Sequence, residues 1–309
     1  MRWEKQGLIW GPDGSSSWAR SHAMVPTPIV LRDGEVRVYV GARDEDGVGR
    51  VGYVDLDARD PSRVLRAADR PVLDIGEPGT FDDNGVLPSV VVPDGDRLYM
   101  YYNGFQLGVK IRYTIFSGLA VSEDGGETFE RVSRAAVLDR SDAETTFRSA
   151  PFVMKDGDRW RIWYPAGDGW VTLDGKDVPV VRMVYAESAD GVHWPDAGVT
   201  AVDFKDDDEH GIGRPWVVRD DDGYKMFYSI RVRSRPYDSR LGYAESVDGL
   251  TWTRKDDEVG IDVSSEGWDT AMIRYGVPCR LGDRTVLFYN GDNFGESGFG
   301  WAVLGESTQ

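Results

Sequence analysis

Charged and polar side chains recur just ahead of five regularly spaced apolar segments that contain proline. Those that could transfer a proton are His22, Asp82, Asp83, Glu209 and Asp269. Those that could bind an anion or a polar ligand are Arg20, Asn84, Arg148, His210, Arg214 and Arg274. Two carboxylates can act as general acid and general base, and an arginine can bind a carboxylate or a phosphate through two hydrogen bonds. The set predicts acid–base chemistry on an anionic ligand, provided that the fold brings the segments together.

A strand pattern repeats five times along the chain, with a period of about 60 residues. Its marker is a column of aromatic residues, namely Tyr39, Tyr101, Trp163, Phe227 and Phe288. Most repeats have an Asp-Gly turn between an apolar strand and the aromatic strand, such as Asp33-Gly34 and Asp94-Gly95. Four short antiparallel strands in each repeat are typical of propeller blades. We therefore predict an all-β, five-bladed propeller that is a single domain of residues 1–309.

The ends of the repeats support a closed ring. Three repeats have a third strand that ends in a similar polar turn, at residues 122–129, 188–194 and 246–252. These segments resemble the Asp-box turn, in which a small polar residue, an aspartate and a glycine shape a hairpin. The last repeat stops after residues 300–304, whereas residues 3–9 resemble the fourth strands of other repeats. Pairing of the two segments would close the last blade and leave no exposed strand edge there.

A propeller places the first strand of each blade along a central channel, so the polar residues ahead of the prolines would converge there. The loop of residues 106–113 could add Lys110 and Arg112 to an anion site. The competing structural interpretation is that Asp82 and Asp83 cap the turn at Asn84-Gly85.

The histidines could also be structural rather than functional, because His22 and His210 could be buried with their ring nitrogens satisfied by hydrogen bonds. A metal site built from His22, His210 and Asp83 has no supporting ligand spacing. We therefore predict neither a metal nor a cofactor.

The overall composition restricts the partners of the protein. A net charge of −17 disfavours nucleic acid and anionic membranes, since both are bound through clustered lysines and arginines. The single cysteine, Cys279, allows no intrachain disulfide and suits a reducing compartment. The N-terminal residues lack the apolar stretch of a secretory signal. These observations predict a cytoplasmic protein with a small-molecule or carbohydrate substrate, and they leave the oligomeric state open.

The five repeats and their hairpins resemble the five-bladed propeller glycosidases over essentially the whole chain. The relevant groups are the arabinanases and xylosidases of family 43, the invertases and levansucrases of families 32 and 68, and the mannoside phosphorylases of family 130. The resemblance implies hydrolysis or phosphorolysis of a glycosidic bond in the central pocket. The arginines fit family 130 better than the others, because its members bind phosphate through basic residues.

The candidate residues match the family pattern only in part. Families 43 and 32 place an essential aspartate at the start of blade one, where this sequence has Arg20 and His22. They use a glutamate at the entry to blade three, where Arg148 lies nearest the proline and Glu144 lies further out. The acid of blade two is matched by Asp82 or Asp83. The invertase-type Asn-Asp-Pro-Asn, Arg-Asp-Pro and Glu-Cys motifs are absent.

Three functions follow from these patterns. The first is a glycoside hydrolase- or phosphorylase-like enzyme that acts on an anionic or phosphorylated sugar. The second is a propeller enzyme with a different reaction, such as a transferase, lyase or cyclase in polysaccharide or small-molecule biosynthesis. The third is a propeller that binds carbohydrate without catalysis, since one fold can serve many functions.

Overall fold

The structure is a computed structural model that describes residues 1–31 and 34–305, so Asp33 of the predicted Asp33-Gly34 turn lies outside the described residues. Nearly all of its regular structure is β-strand. The N-terminal strand is β1 (Trp3–Trp10). Repeat one contains β2 (Ser21–Val30), β3 (Glu35–Arg43), β4 (Gly49–Asp57) and β5 (Asp60–Ala67). Repeat two contains β6 (Val86–Asp94), β7 (Arg97–Leu107), β8 (Tyr113–Ser122) and β9 (Glu130–Arg131).

The remaining strands follow the same plan. Repeat three contains β10 (Phe147–Arg148), β11 (Phe152–Asp156), β12 (Arg159–Leu173), β13 (Lys176–Ser188) and β14 (Val199–Val202). Repeat four contains β15 (Glu209–Asp220), β16 (Gly223–Val232), β17 (Arg235–Ser246) and β18 (Thr253–Arg254). Repeat five contains β19 (Arg274–Leu281), β20 (Arg284–Asn290) and β21 (Phe299–Leu304). Within residues 1–31 and 34–305, single turns of helix occur at Asp256–Glu258 and Asp292–Gly295, and no described helix is long or apolar enough to cross a membrane.

Consecutive strands pair antiparallel within each repeat, and the two ends of the chain meet in one sheet. In the sheet β1-β21-β20-β19, Trp3 lies opposite Leu304, which is the pairing that the sequence predicts. Repeat one forms a separate four-stranded sheet. Short parallel bridges, from Phe147 to Ile115 and from Val181 to Gly211, join repeats two to four into one 13-stranded sheet.

The aromatic column forms the core of the repeats and connects them. All five of its side chains are buried. The Tyr101 hydroxyl donates to the Gly191 carbonyl of the next repeat at 2.7 Å, and the Trp163 indole donates to Gly249 at 3.0 Å. Both glycines lie in polar turns and have positive φ, and a Cβ on Gly191 would lie 2.8 Å from the Tyr101 hydroxyl. The column therefore fixes the turns of the neighbouring repeat.

The polar turns are held by a recurring set of hydrogen bonds. In the turn of repeat four, the Ser246 hydroxyl donates to Asp248 at 2.9 Å and accepts from the Gly249 amide at 2.8 Å. The Asp248 carboxylate also accepts from the backbone amides of Leu250 and Thr251. These contacts are internal to the turn, so they shape the hairpin and leave the aspartate without a ligand-binding role.

Candidate functional site

The innermost strands have an unusual backbone where the predicted polar residues lie. His22, Val25, Arg214 and Tyr275 all have positive φ, between 54° and 64°. Residues other than glycine rarely adopt this conformation, and each instance costs about 1–3 kcal/mol unless the surrounding structure fixes it. Such backbone strain concentrates at functional sites, so these positions indicate where a functional site is expected.

An apolar floor connects three repeats at the centre of the molecule. Met24 and Val25 of repeat one pack with Leu87 of repeat two, and Phe105 and Tyr275 pack against this cluster. Tyr275 belongs to repeat five. Its backbone amide donates a hydrogen bond to the Ser229 hydroxyl of repeat four at 3.0 Å. Residues near the inner strands of repeats one, two, four and five are therefore in contact with one another.

Arg214 extends this convergence from repeat four to repeat one. Its Nη2 donates to the Thr27 hydroxyl at 3.0 Å and to the Pro26 carbonyl at 3.4 Å. The residue is 3% exposed, and its Nε has no hydrogen-bond partner. A buried guanidinium without a carboxylate is unusual, because burial of an unpaired charge is unfavourable.

Three more arginines complete what we call the axial arginine group, defined as Arg43, Arg214, Arg231 and Arg274. The Arg274 guanidinium lies 4.1 Å from the Tyr275 ring centroid, the residue is 7% exposed, and its Nε has no partner. The Arg231 guanidinium covers Gly211 so closely that a Cβ there would lie 2.5 Å from Nε. Within residues 1–31 and 34–305, no carboxylate forms an ion pair with any of the four.

The electrostatics distinguish this group from the other arginines. Burial lowers the pKa of all four guanidinium groups, and it lowers the pKa of Arg214 to about 9. Arg231 contributes to the lowered pKa of Arg274. At Arg37 burial acts in the same direction, but hydrogen bonds to Asp55 and Glu127 raise the pKa above its usual range. The axial group remains charged at neutral pH, and its charge is available to an anionic ligand.

Two neutral histidines lie beside these arginines. Burial and the charge of Arg43 lower the pKa of His22 to about 4, and burial and Arg231 lower the pKa of His210 to about 4. The Arg43 guanidinium lies 3.4 Å from His22 Nε2. His210 Nδ1 lies 3.2 Å from the Pro179 carbonyl, which accepts a hydrogen bond from it, so Nε2 is an acceptor without a partner. The structure thus places His22 and His210 in the same region as Arg214 and Arg274.

We expect the free energy of unfolding to fall as the pH is lowered from about 6.5 to about 4. In this window the unfolded chain binds protons at His22 and His210 that the folded chain does not, so protonation favours unfolding by up to about 3 kcal/mol for each histidine. Urea unfolding at several pH values measures the slope. The variant with both His22→Gln and His210→Gln should show a smaller slope, and His193→Gln, at an exposed position, serves as control. Equal slopes in the wild type and the double variant would contradict the assignment.

Three of the predicted catalytic carboxylates are bound to cations inside their own repeats. Asp82 accepts from Arg131 at 2.8 Å. Glu209 accepts two hydrogen bonds from Arg254, both at 2.7 Å. Asp269 accepts from Lys5 at 2.6 Å. All three acids are buried, so these ion pairs hold β9, β18 and β1 against the residues at or just before the start of β6, β15 and β19.

A tyrosine that directly follows the aromatic column donates to a buried or half-buried acid in four repeats. The pairs are Tyr102 with Asp82, Tyr164 with Glu144, Tyr228 with Asp256, and Tyr289 with Asp269, at 2.6 to 3.1 Å. Arg148, a predicted substrate-binding residue, belongs to the same arrangement, because its Nε lies 2.6 Å from Glu144. The structure therefore places Asp82, Arg148, Glu209 and Asp269 in contacts within the repeats.

Asp83 differs from its neighbour Asp82. Its Oδ2 accepts from the Gly79 amide at 2.8 Å, its Oδ1 accepts from the Asn84 side chain at 2.9 Å, and neither oxygen contacts a cation within the described chain. The Asn84 amide donates to the carbonyl of Phe105, which packs on the apolar floor. Asp83 is thus a half-buried carboxylate, free of ion pairs, beside the residues that converge at the centre.

The remaining predicted residues lie at the surface. Arg20 is exposed, and its guanidinium donates to the Gly14 carbonyl. Lys110 and Arg112 are exposed on the loop between β7 and β8. Arg112 is close enough to Arg43 for its charge to contribute to the lowered pKa of that residue, so it joins the edge of the axial group.

An aromatic wall adjoins the axial group on the side of repeats two and three. It consists of Phe105, Tyr113, Phe147 and Trp170, whose neighbouring ring centroids lie 5.3 to 6.3 Å apart. Tyr113 influences the pKa of both Arg231 and Arg274, which places the wall beside the guanidinium groups. Phe105, Tyr113 and Trp170 are partly exposed and could stack on a sugar ring or a base, whereas Phe147 is buried and supports them.

Several of these residues are missing from the sequence prediction. Arg43 and Arg231 end the aromatic strands of repeats one and four, and each end pairs with the start of an inner strand. The sequence therefore carries a signal for both residues, namely an arginine at or near the end of the strand that contains the aromatic residue. The prediction also omitted Glu296, an exposed carboxylate whose charge acts on His22 and Arg43, and whose backbone carbonyl accepts from the His22 amide.

No three His, Cys, Asp or Glu side chains of the described ranges are grouped as a metal site would require. The unpartnered Nε atoms of Arg214 and Arg274 are guanidinium donors, and donors of this kind fit an anion.

Comparison with known sequences gives relatives that match over the full length. No protein family model matches the chain. The uncharacterized protein Rv1502 of Mycobacterium tuberculosis is 37% identical over 306 residues, which cover 98% of this chain and 99% of the relative. A 1,2-beta-oligomannan phosphorylase of a Thermoanaerobacter species is 38% identical over 82 residues, which cover 25% of this chain and 27% of the relative.

Solved structures share the fold over the whole chain. A glycosyl hydrolase from Bacteroides ovatus superposes with a TM-score of 0.74 at 14% identity, covering 97% of this chain and 93% of the other. A thermostable family-43 glycoside hydrolase gives a TM-score of 0.69 at 14% identity, with 96% and 94% covered. A member of the family of mannoside phosphorylases that contains glycoside hydrolases for β-1,2-mannosidic linkages gives 0.72 at 14% identity, with 99% and 94% covered. The chain therefore belongs to the family of Rv1502, with the fold of the glycoside hydrolase-like propeller enzymes.

Proposed function

We propose that the protein is a carbohydrate-active enzyme that acts on the glycosidic bond of an anionic or phosphorylated sugar at the axial arginine group. The observation that carries the proposal is the pair of buried guanidinium groups, Arg214 and Arg274, each with an Nε that lacks a partner. A ligand with negative charge would supply the missing acceptors. The fold of glycoside hydrolase-like enzymes and the short match to a mannoside phosphorylase support the choice of a sugar.

The proposed architecture is one domain of residues 1–309 with five blades. Each repeat supplies one blade, β1 completes the fifth, and the polar turns act as Asp boxes. The pairing of β1 with β21 and the packing of inner residues from repeats one, two and five support this arrangement. A cytoplasmic location stays a prediction that the lone Cys279 favours, and burial raises the pKa of its thiol to about 12.

Within the site we assign proton transfer to Asp83 and recognition of the anionic group to the axial arginines. Asp83 is the predicted acid that has no cation bound to it. His22 and His210, which are neutral at pH 7, would accept hydrogen bonds from substrate hydroxyls or donate to them. The aromatic wall would hold the sugar ring.

A second candidate is a transferase, lyase or cyclase that uses the same pocket. It is favoured by the ion pairs of Asp82, Glu209 and Asp269, because hydrolysis with two carboxylates requires a second acid about 5–9.5 Å from the first. Under this alternative Asp83 would act as a single acid or base.

A substrate panel tests the proposal. The protein is incubated with neutral p-nitrophenyl glycosides, glycosyl phosphates, uronides and nucleotide sugars, with and without orthophosphate, and released sugar is measured. We expect turnover only with anionic substrates, since neutral sugars leave the guanidinium groups uncompensated. Equal turnover of neutral and anionic glycosides would refute the proposal, as would binding of anionic sugars without any turnover.

A further inference from the structure

The guanidinium groups at the centre fall into two clusters according to the repeats that carry them. Arg214 and Arg274 belong to the inner strands of repeats four and five, and Arg231 lies beside them at the end of β16. Arg43 ends β3 of repeat one, contacts His22, and has Arg112 as its cationic neighbour. A ligand that neutralises one cluster would leave the other uncompensated.

Tyr275 lies between the two clusters. Its ring is 4.1 Å from the Arg274 guanidinium, and it packs on the floor residues Met24 and Val25 of repeat one. Tyr275 thus contacts Arg274 of one cluster and packs on β2, the strand that pairs with the strand carrying Arg43 of the other cluster. Its charge also acts on Arg43, Arg214, Arg231 and Arg274, which agrees with this intermediate position.

The number of arginines in the two clusters restricts the charge that a matching ligand would carry. The two clusters contain five arginines, and within residues 1–31 and 34–305 none of the five forms an ion pair with a carboxylate. A uronate would bring one negative charge, and a phosphate monoester brings about 1.5 to 2 at a single point. Two linked phosphoryl groups would place charge at both clusters at once, and each can accept bidentate hydrogen bonds from a guanidinium.

We infer, resting on the proposed function, that the substrate is a sugar joined to a diphosphate. One phosphoryl group would be bound by Arg214, Arg231 and Arg274, and the other by Arg43 with Arg112. The sugar ring would lie against the aromatic wall of Phe105, Tyr113, Phe147 and Trp170. The diphosphate could belong to a nucleotide sugar or to a lipid-linked sugar, because both present the same group to the arginines.

Calorimetric titration with inorganic pyrophosphate and with orthophosphate tests the inference. We expect pyrophosphate to bind at least about tenfold more tightly, and Arg274→Met and Arg43→Met each to weaken its binding by about 10- to 100-fold. Orthophosphate should respond to only one of the two variants, since it occupies one cluster. Arg219→Met is the matched control, because Arg219 lies on the same strand as Arg214 but is exposed and paired with Asp156. Titrations with UDP and with farnesyl diphosphate then distinguish the nucleotide from the lipid source.

Equal affinity for orthophosphate and pyrophosphate, or pyrophosphate binding that is insensitive to Arg43→Met, would overturn the inference. Either result leaves the proposed function intact if the panel still shows turnover of singly charged sugars. Conversely, tight pyrophosphate binding without turnover of any anionic sugar would support the diphosphate site and refute the enzymatic function. Circular dichroism of each variant excludes loss of fold as the cause of weaker binding.

Discussion

Replacement of Asp83 by asparagine is expected to lower turnover of the anionic substrate by about 100- to 10,000-fold, which is the usual contribution of a general acid or base. Asparagine keeps the size of the side chain and an oxygen that can accept from the Gly79 amide. The free energy of unfolding should therefore stay within about 0.5 kcal/mol of the wild-type value. Initial rates and urea unfolding of the same preparation measure the two quantities.

The adjacent residue provides the matched control. Asp82→Asn removes the negative charge that pairs with Arg131 and accepts from Tyr102, both inside repeat two. Loss of one partner from a buried ion pair should lower the free energy of unfolding by about 3 kcal/mol. Any loss of turnover should follow the unfolded fraction. If Asp82→Asn abolishes turnover in fully folded protein and Asp83→Asn does not, the roles assigned to the two residues are reversed.

Arg214→Met is expected to make the protein more stable and unable to bind its anion. The lowered pKa of Arg214, about 9, means that the charged guanidinium is less stable in the folded protein than in the unfolded chain. The folded state is therefore destabilised by the full amount at every pH below about 9. Methionine fills a similar volume beside Trp216 without a charge. Allowing for the lost hydrogen bond to Thr27, we expect an increase of about 1–2 kcal/mol in the free energy of unfolding.

Thermal unfolding with and without pyrophosphate measures both effects together. Without the anion the variant should melt at a higher temperature than the wild type, and saturating anion should raise the melting temperature of the wild type alone. Arg219→Met should change neither value, because exposed ion pairs contribute little to stability. A destabilised variant that still responds to pyrophosphate would show that Arg214 is a structural residue.

The repeat pattern predicts the strands well, because a residue such as Tyr101 must be buried in every repeat and its spacing records that requirement. The site is harder to predict for a physical reason. An acid ahead of an inner strand looks the same in sequence whether it faces a central channel or the interior of its own repeat. Asp82 and Asp269 face the interior of their repeats, where each accepts a hydrogen bond from a tyrosine. The distinguishing signal was the tyrosine after each aromatic column residue, at Tyr102 and Tyr289, since a buried hydroxyl needs a partner.

The pairing of Trp3 with Leu304 has a consequence for synthesis of the protein. Because β1 precedes β21 by most of the described chain, it has no partner until β21 has been synthesised. Until then β1 presents an unpaired backbone edge, which is the condition under which nascent chains associate with one another. Contacts of such high sequence separation also form slowly. We therefore expect chaperone protection of β1 during translation to increase the fraction of chains in which β1 pairs with β21.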